Sequence, residues 1–236
     1  MRLAKLVLTL ALLAAGLLAA SGIGVRLGLW PFRAGFQLLR WSAYLGFAAA
    51  AIALVALLIP KARAGELGGL VVALGVGLGV AYFPWHWQQR ARAAPPIHDI
   101  STDLEHPPGF VAVLPLRSGA PNSSEYGGTE VAAAQRRGYP DIRPLIVAAP
   151  PPVAFAQALD AAKRMGWTLV AADSSEGRIE ATATTAWFGF KDDVVIRVTP
   201  ATTGSRIDVR SVSRVGKSDV GTNAARIRAY LAKLSG

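Results

Sequence analysis

The 236-residue chain contains no cysteine. That absence excludes a disulfide framework, a thiolate metal site and a cysteine nucleophile. Charge is also scarce. Charged residues make up 17% of the chain and apolar residues 52%, against about 25% and about 45–50% in ordinary globular proteins. Acids are scarcest at the front. Residues 1–94 hold nine Lys/Arg and a single acid, Glu66, a net +8; residues 95–236 hold sixteen Lys/Arg and fourteen acids, a net +2. The overall +10 therefore lies beside apolar segments, whereas a nucleic-acid footprint clusters on a folded face. No nucleic-acid partner is expected.

In place of charge, the front of the chain carries long apolar runs. Residues 6–25, 41–59 and 65–83 are uncharged except for Glu66 at the start of the third, and each approaches the roughly 20 residues a bilayer core requires. Trp30, Trp41, Tyr82, Trp85 and Trp87 lie at the run ends, where amphipathic rings favour the headgroup zone. These features predict a membrane anchor over residues 1–94, with the lipid bilayer as its partner. The third run is rich in glycine. Gly65/Gly69 and Gly75/Gly79 have the small-xxx-small spacing that lets helices approach closely. Two readings fit: packing against the other two runs, or contact with another copy or another membrane protein.

Arg2, Lys5, Lys61 and Arg63 would share one side of the membrane, and Arg26, Arg33, Arg40, Arg90 and Arg92 the other, a near-even split under the positive-inside rule. Arg2, Lys5, the first apolar run and Ala19-Ala20-Ser21 also fit a secretory signal. Cleaved, or retained with its N-terminus inside, the first run leaves the C-terminal part outside the cytoplasmic membrane in both cases.

Beyond Ala93-Ala94-Pro95-Pro96, a stiff linker, residues 97–150 lack periodicity and read as an extended wrapping segment with one short helix near 129–137. From Pro151 the pattern sharpens. Phe155, Ala158, Leu159 and Ala162 share a helical face, and Gly166 suits the helix end. Strands follow at 167–172 and 178–184, then around Val194, Ile196 and Val198, then around Ile207 and Val209. The alternate positions, Arg178, Glu180, Arg197, Arg206, Asp208 and Arg210, are expected on a wet face crossed by ion pairs. Val220, Ala224, Ile227, Leu231 and Leu234 mark a last helix starting near Asp219 with Ser218 as its N-cap. The expected fold is α+β: three transmembrane helices, then over 151–236 a two-layer domain of helix, four-stranded antiparallel sheet and helix.

Several chemical motifs are incomplete. Gly216-Lys217-Ser218 matches the tail of a P-loop, but Ser211 stands where the leading glycine belongs and no parallel sheet is expected, so no nucleotide is expected. Free N–H groups at the start of the last helix, with Arg214, Lys217 and Ser218 beside them, form a candidate anion site; the alternative is that Ser218 caps the helix and the basic residues face water. His98, Asp99, Asp103, Glu105 and His106 could hold a divalent metal, although they lack the spacing of a recognised site and suit loop turns equally. Ser101, Ser123 and Ser124 lack a G-x-S-x-G elbow. Asp192 and Asp193, adjacent in a strand, point to opposite faces and make a poor acid/base couple. No catalytic residue and no cofactor follow. Trp187, Phe188 and Phe190 at a hairpin tip are candidates for membrane or partner contact, or for clamping residues 97–150.

Four blocks in order, IHDISTDLEHPPGF (97–110), YPDIRPL (139–145), GRIEATATTAWFGFKDDVVIRV (177–198) and SRVGKSDVGTNAARIRAYL (213–231), resemble the DUF1499 family, a family of unknown function, over about residues 95–234. The resemblance implies a bacterial envelope setting, because relatives often carry lipoprotein or export signals; it supplies no activity and no catalytic residue. The combined expectation is a multi-pass protein of the bacterial inner membrane with a periplasmic domain that acts as a non-enzymatic binding or interaction module. An envelope hydrolase or metal-dependent enzyme using the His98–His106 cluster, or a small subunit of a membrane complex, are the alternatives.

Overall fold

The computed structural model describes residues 3–235; Arg2, counted above for orientation, lies outside them. The chain divides into two compact units. One holds the residues up to Arg90 with Ala186–Gly189, and the other holds Ala91–Thr185 with the residues from Phe190 onward.

The first unit is helical: α1 (Leu3–Arg26), α2 (Phe32–Leu58), the single turn α3 (Pro60–Arg63) and α4 (Leu67–Ala93). The three long helices are each long and apolar enough to cross a membrane. They outrun the apolar segments that mark them. Arg33, Gln37 and Arg40 interrupt the apolar run but are good helix formers, so α2 starts at Phe32 rather than Trp41. Pro84 removes one hydrogen bond inside α4, yet the helix continues past Phe83 to Ala93. Packing is inverted relative to a bundle in water. Ala11, Ala49, Ala53 and Ala73 are buried with Val7, while Leu12, Leu13, Phe47 and Leu58 face outward. Small residues inside and large apolar ones outside is the arrangement of helices packed in lipid.

The close approach uses Gly46 and Gly77. A Cβ on Gly46 would lie 2.9 Å from the Gly77 carbonyl, and one on Gly77 would lie 2.6 Å from that of Gly46. Gly69 lies against Ala4, and Gly65 makes the turn before α4 with φ of 72°. Gly75 and Gly79 face open space. Glu66 accepts the Ala4 N–H at 2.6 Å, so the one acid of the anchor satisfies a free donor at the start of α1.

The tip Ala186–Gly189 groups with these helices. Trp187 meets Phe83 edge-on with centroids 4.8 Å apart, Phe188 lies 5.2 Å from Phe36, and the Arg26 guanidinium donates to the Ala186 carbonyl at 2.7 Å. Within this unit the rings of Trp187 and Phe188 meet aromatics of α4 and α2.

The second unit is built on β1 (Asp99–Ser101), β2 (Leu145–Val147), β3 (Thr168–Asp173), β4 (Arg178–Thr184), β5 (Lys191–Ala201) and β6 (Gly204–Ser213), with helices α5 (Gly128–Gly138), α6 (Pro151–Arg164) and α7 (Thr222–Ser235). The antiparallel meander β3–β6 is the four-stranded sheet expected from periodicity. Two three-residue strands extend it: β1 pairs with Arg210–Val212 and β2 with Ser205–Ile207, both along the free edge of β6. The sheet thus has six strands. One face carries Ile179, Ala181, Val194, Ile196, Ile207 and Val209 against Phe155, Ala158 and Ala162 of α6 and Ala224, Ile227 and Tyr230 of α7. Trp167 stacks on Tyr230 at 5.2 Å, and the Tyr230 hydroxyl donates to the Ala158 carbonyl at 2.9 Å.

The opposite face is not wet. Glu180, Asp193 and Asp208 are fully buried and Arg210 nearly so, because residues 102–126 lie over them. The sheet is therefore covered on both faces, by two helices on one and by irregular backbone on the other. The last helix also starts later than expected. Val220 takes a positive φ of 54° and Gly221 one of 80°, so the helix begins at Thr222.

Candidate functional site

Irregular backbone has free N–H and C=O groups that must be satisfied when buried. Here the charged face of the sheet satisfies them. The Glu180 carboxylate accepts the N–H groups of Val111, Ala112 and Val113 at 3.0, 3.0 and 2.9 Å and pairs with Arg178 Nε at 3.1 Å. Arg210 makes a two-pronged pair with Asp99 at 2.9 and 2.7 Å and donates to the carbonyls of Pro108 and Ser124. Its guanidinium lies between the rings of Phe110 and Tyr126. Asp193 holds Arg117 at 2.6 Å and Arg214 at 2.8 Å and accepts the Thr182 hydroxyl at 2.7 Å. Burial opposes the charge on Asp193, but the bonds from Arg214, Thr182 and Arg117 outweigh it and hold the carboxyl below its ordinary value.

At one side of this cover, the 103–106 turn, the end of α5 and the 139–144 loop enclose a cleft of about 520 Å3. That size is within the roughly 300–1,000 Å3 of small-molecule sites. Arg206 closes one wall. It shares Asp103 with Arg197, each at 2.9 Å, and both also hold Asp208. Asp103 is tied further by accepting the N–H groups of Glu105 and His106 at 3.0 and 2.9 Å. Burial opposes its charge, and these bonds with the two arginines keep its carboxyl below the ordinary range. The other wall carries Arg136 and Arg143. Arg143 Nε donates to the Pro140 carbonyl at 3.1 Å. Among the described residues neither Arg136 nor Arg143 forms an ion pair, in contrast to the sheet arginines 178, 197, 206, 210 and 214.

The metal candidates are dispersed. Asp99 is spent on Arg210 and Asp103 on two arginines, while Glu105 and His106 line the cleft and His98 offers its carbonyl to Ser213 and Asn223. Among the described residues no three His, Asp or Glu side chains are grouped to hold a metal ion. At the anion candidate, Asp219 takes the place an anion would occupy, accepting the N–H groups of Gly221 at 3.1 Å and Asn223 at 2.5 Å. Arg214 is committed to Asp193, Ser218 donates to the Pro95 carbonyl at 3.1 Å, and Lys217 is exposed. Asp192 and Asp193 do face opposite ways, toward Arg226 and toward Arg117. Phe190 donates its N–H to the Thr185 hydroxyl at 2.9 Å.

The cleft arginines went unmarked in the sequence because Arg206, on β6, is far along the chain from Arg136 and Arg143. Their one early signal is that Arg136 lies in one acid-free stretch, 131–140, and Arg143 in another, 142–159.

No curated protein and no solved structure matches the chain. A family model, described as a protein of unknown function (DUF1499), matches residues 99–234, which takes in every strand and the whole cleft. The chain belongs to the DUF1499 family.

Proposed function

We propose that the protein is a non-enzymatic binding module of the bacterial envelope, held at the cytoplasmic membrane by its helices, whose domain takes an anionic group, phosphate or carboxylate, in the Arg136–Arg143–Arg206 cleft. The observation that carries this reading is the contrast in arginine commitment. The domain is nearly charge-balanced and matches its sheet arginines to carboxylates, yet two guanidinium groups stand at one cleft with none. Guanidinium groups recognise phosphate and carboxylate through paired N–H donors. Arg206, paired with Asp103 and Asp208, adds a third guanidinium to the cleft lining.

Pyrophosphate titrated into the detergent-solubilised full chain, followed by calorimetry, tests this. Saturable binding is expected, weakened at least about tenfold when Arg136→Gln and Arg143→Gln are combined, in line with two charge-assisted bonds. Arg137→Gln, next along α5 and outside the cleft lining, leaves it unchanged. Absence of saturable binding, or equal loss with Arg137→Gln, overturns the reading.

A further inference from the structure

We infer that the helical unit holds an anionic phospholipid in a groove between α2 and α4, its phosphate on Arg40 and an acyl chain running down to Phe47 and Leu78. The groove has a volume of about 600 Å3. Its mouth carries Arg40, Trp85 and Gln88, and its floor is apolar. From Arg40 to Phe47 on α2, and from Gln88 to Leu78 on α4, it extends roughly 10–15 Å along the helices at 1.5 Å per residue. One end is thus polar and aromatic and the other is purely apolar, the polarity sequence of a lipid from headgroup to tail.

Charge decides the kind of lipid. Glu66 is the one acid in residues 1–94, and its carboxylate is bound to the Ala4 N–H. Arg40 is exposed and forms no ion pair among the described residues. A guanidinium at the level of the interfacial aromatics, without an internal counterion, is complementary to a lipid phosphate carrying net negative charge. Tyr44 and Tyr82 flank the groove at 58% exposure each. Tyr82 stacks on His86 and meets Trp85 at 5.8 Å, so the wall on α4 is a set of mutually packed rings rather than loose side chains.

The full chain is reconstituted in discs of mixed phosphatidylcholine and phosphatidylglycerol, released into the gas phase, and its retained lipids are counted by native mass spectrometry. Wild type should retain phosphatidylglycerol over phosphatidylcholine. Arg40→Gln should cut that preference about fivefold, the effect of one basic residue near an anionic surface. Leu78→Trp, which fills the apolar end, should lower retention of both lipids. Arg90→Gln, whose guanidinium lies over the Trp87 ring at the same end of α4 but outside the groove, should change nothing. Equal retention of the two lipids by wild type overturns the inference without any variant. A loss with Arg90→Gln matching that with Arg40→Gln does so as well, because it shows diffuse surface attraction.

Discussion

Asp193 shows how a single side chain organises the domain. It is fully buried, lies on the sheet face that the irregular segment covers, and holds two arginines that reach it from outside β5: Arg117 from the 3-10 turn Leu114–Arg117 and Arg214 from the end of β6. Both arginines donate onward to loop carbonyls, Arg117 to Asn122 and Ser123, and Arg214 to Leu116. Removing the charge from one partner of such a buried group costs about 3–5 kcal/mol. Asp193→Asn should therefore lower the urea stability of the domain by that amount at neutral pH. The pH dependence has a defined sign. The carboxyl is held below its ordinary value of 3.8, so its contribution is complete above that pH and is lost as pH falls through the lower folded value. The difference in stability between wild type and Asp193→Asn should shrink as pH is lowered from about 4. Subtracting the variant separates Asp193 from Asp219, whose carboxyl is raised chiefly by burial and weighs in the opposite direction. Urea titration of the detergent-solubilised full chain, followed by near-ultraviolet circular dichroism from Trp167 stacked on Tyr230, measures both effects. A difference that stays constant with pH would show that the carboxyl does not work through its charge.

Elements obey the spacing of small residues in the helices and the alternation of large ones in the sheet. Gly77→Val should separate α2 from α4, because its Cβ would meet the Gly46 carbonyl and the Ala50 N–H at 2.6 and 2.9 Å; overpacking of this kind costs about 1–3 kcal/mol. Gly79→Val, two residues on and in open space, should leave the detergent melting temperature unchanged, so the two variants measured together locate the crossing. Small-xxx-small spacing marked α4 as a packing helix but picked Gly65/Gly69 and Gly75/Gly79 and passed over Gly77, the glycine that meets Gly46, since the partner surface belongs to another helix. The meander β3–β6 and both covering helices were legible, because the alternation of Ile179, Ala181 and Ala183 and the i, i+3, i+4, i+7 spacing of α6 are local signals. β1 and β2 were not. Each is three residues long and exists only because β6 offers an unpaired edge. The buried charged face was misread for a related reason. Arg and Glu alternating along a strand look solvated until the polypeptide that covers them is known, and residues 102–126 carry no periodicity that would announce a cover. The cleft was half visible: Asp103, Glu105 and His106 stood out as a cluster, but as metal candidates, and the arginines facing them came from elsewhere.

At the scale of the whole molecule, charge and hydropathy separate along the chain. The first 94 residues carry a net +8 with one acid, and the remainder carries sixteen bases against fourteen acids. A nearly neutral domain imposes little electrostatic preference on which side of a membrane it occupies, and the loop charges split almost evenly, so the positive-inside rule alone does not orient the chain. The proposed outward placement rests on parity: three spanning helices leave the C-terminus outside when the first starts inside, and two do so after cleavage because the new N-terminus is then already outside. The absence of cysteine makes this directly measurable, because one introduced thiol is the only thiol. Lys217 is exposed on the domain and Lys61 is exposed in the turn between the second and third spans. In intact bacterial cells treated with a membrane-impermeant maleimide, Lys217→Cys should label and Lys61→Cys should label only after lysis. The reverse pattern would place the domain in the cytoplasm. The membrane anchor and the arginine cleft would both survive that outcome, but the anionic group would then have to be sought among cytoplasmic molecules rather than in the envelope.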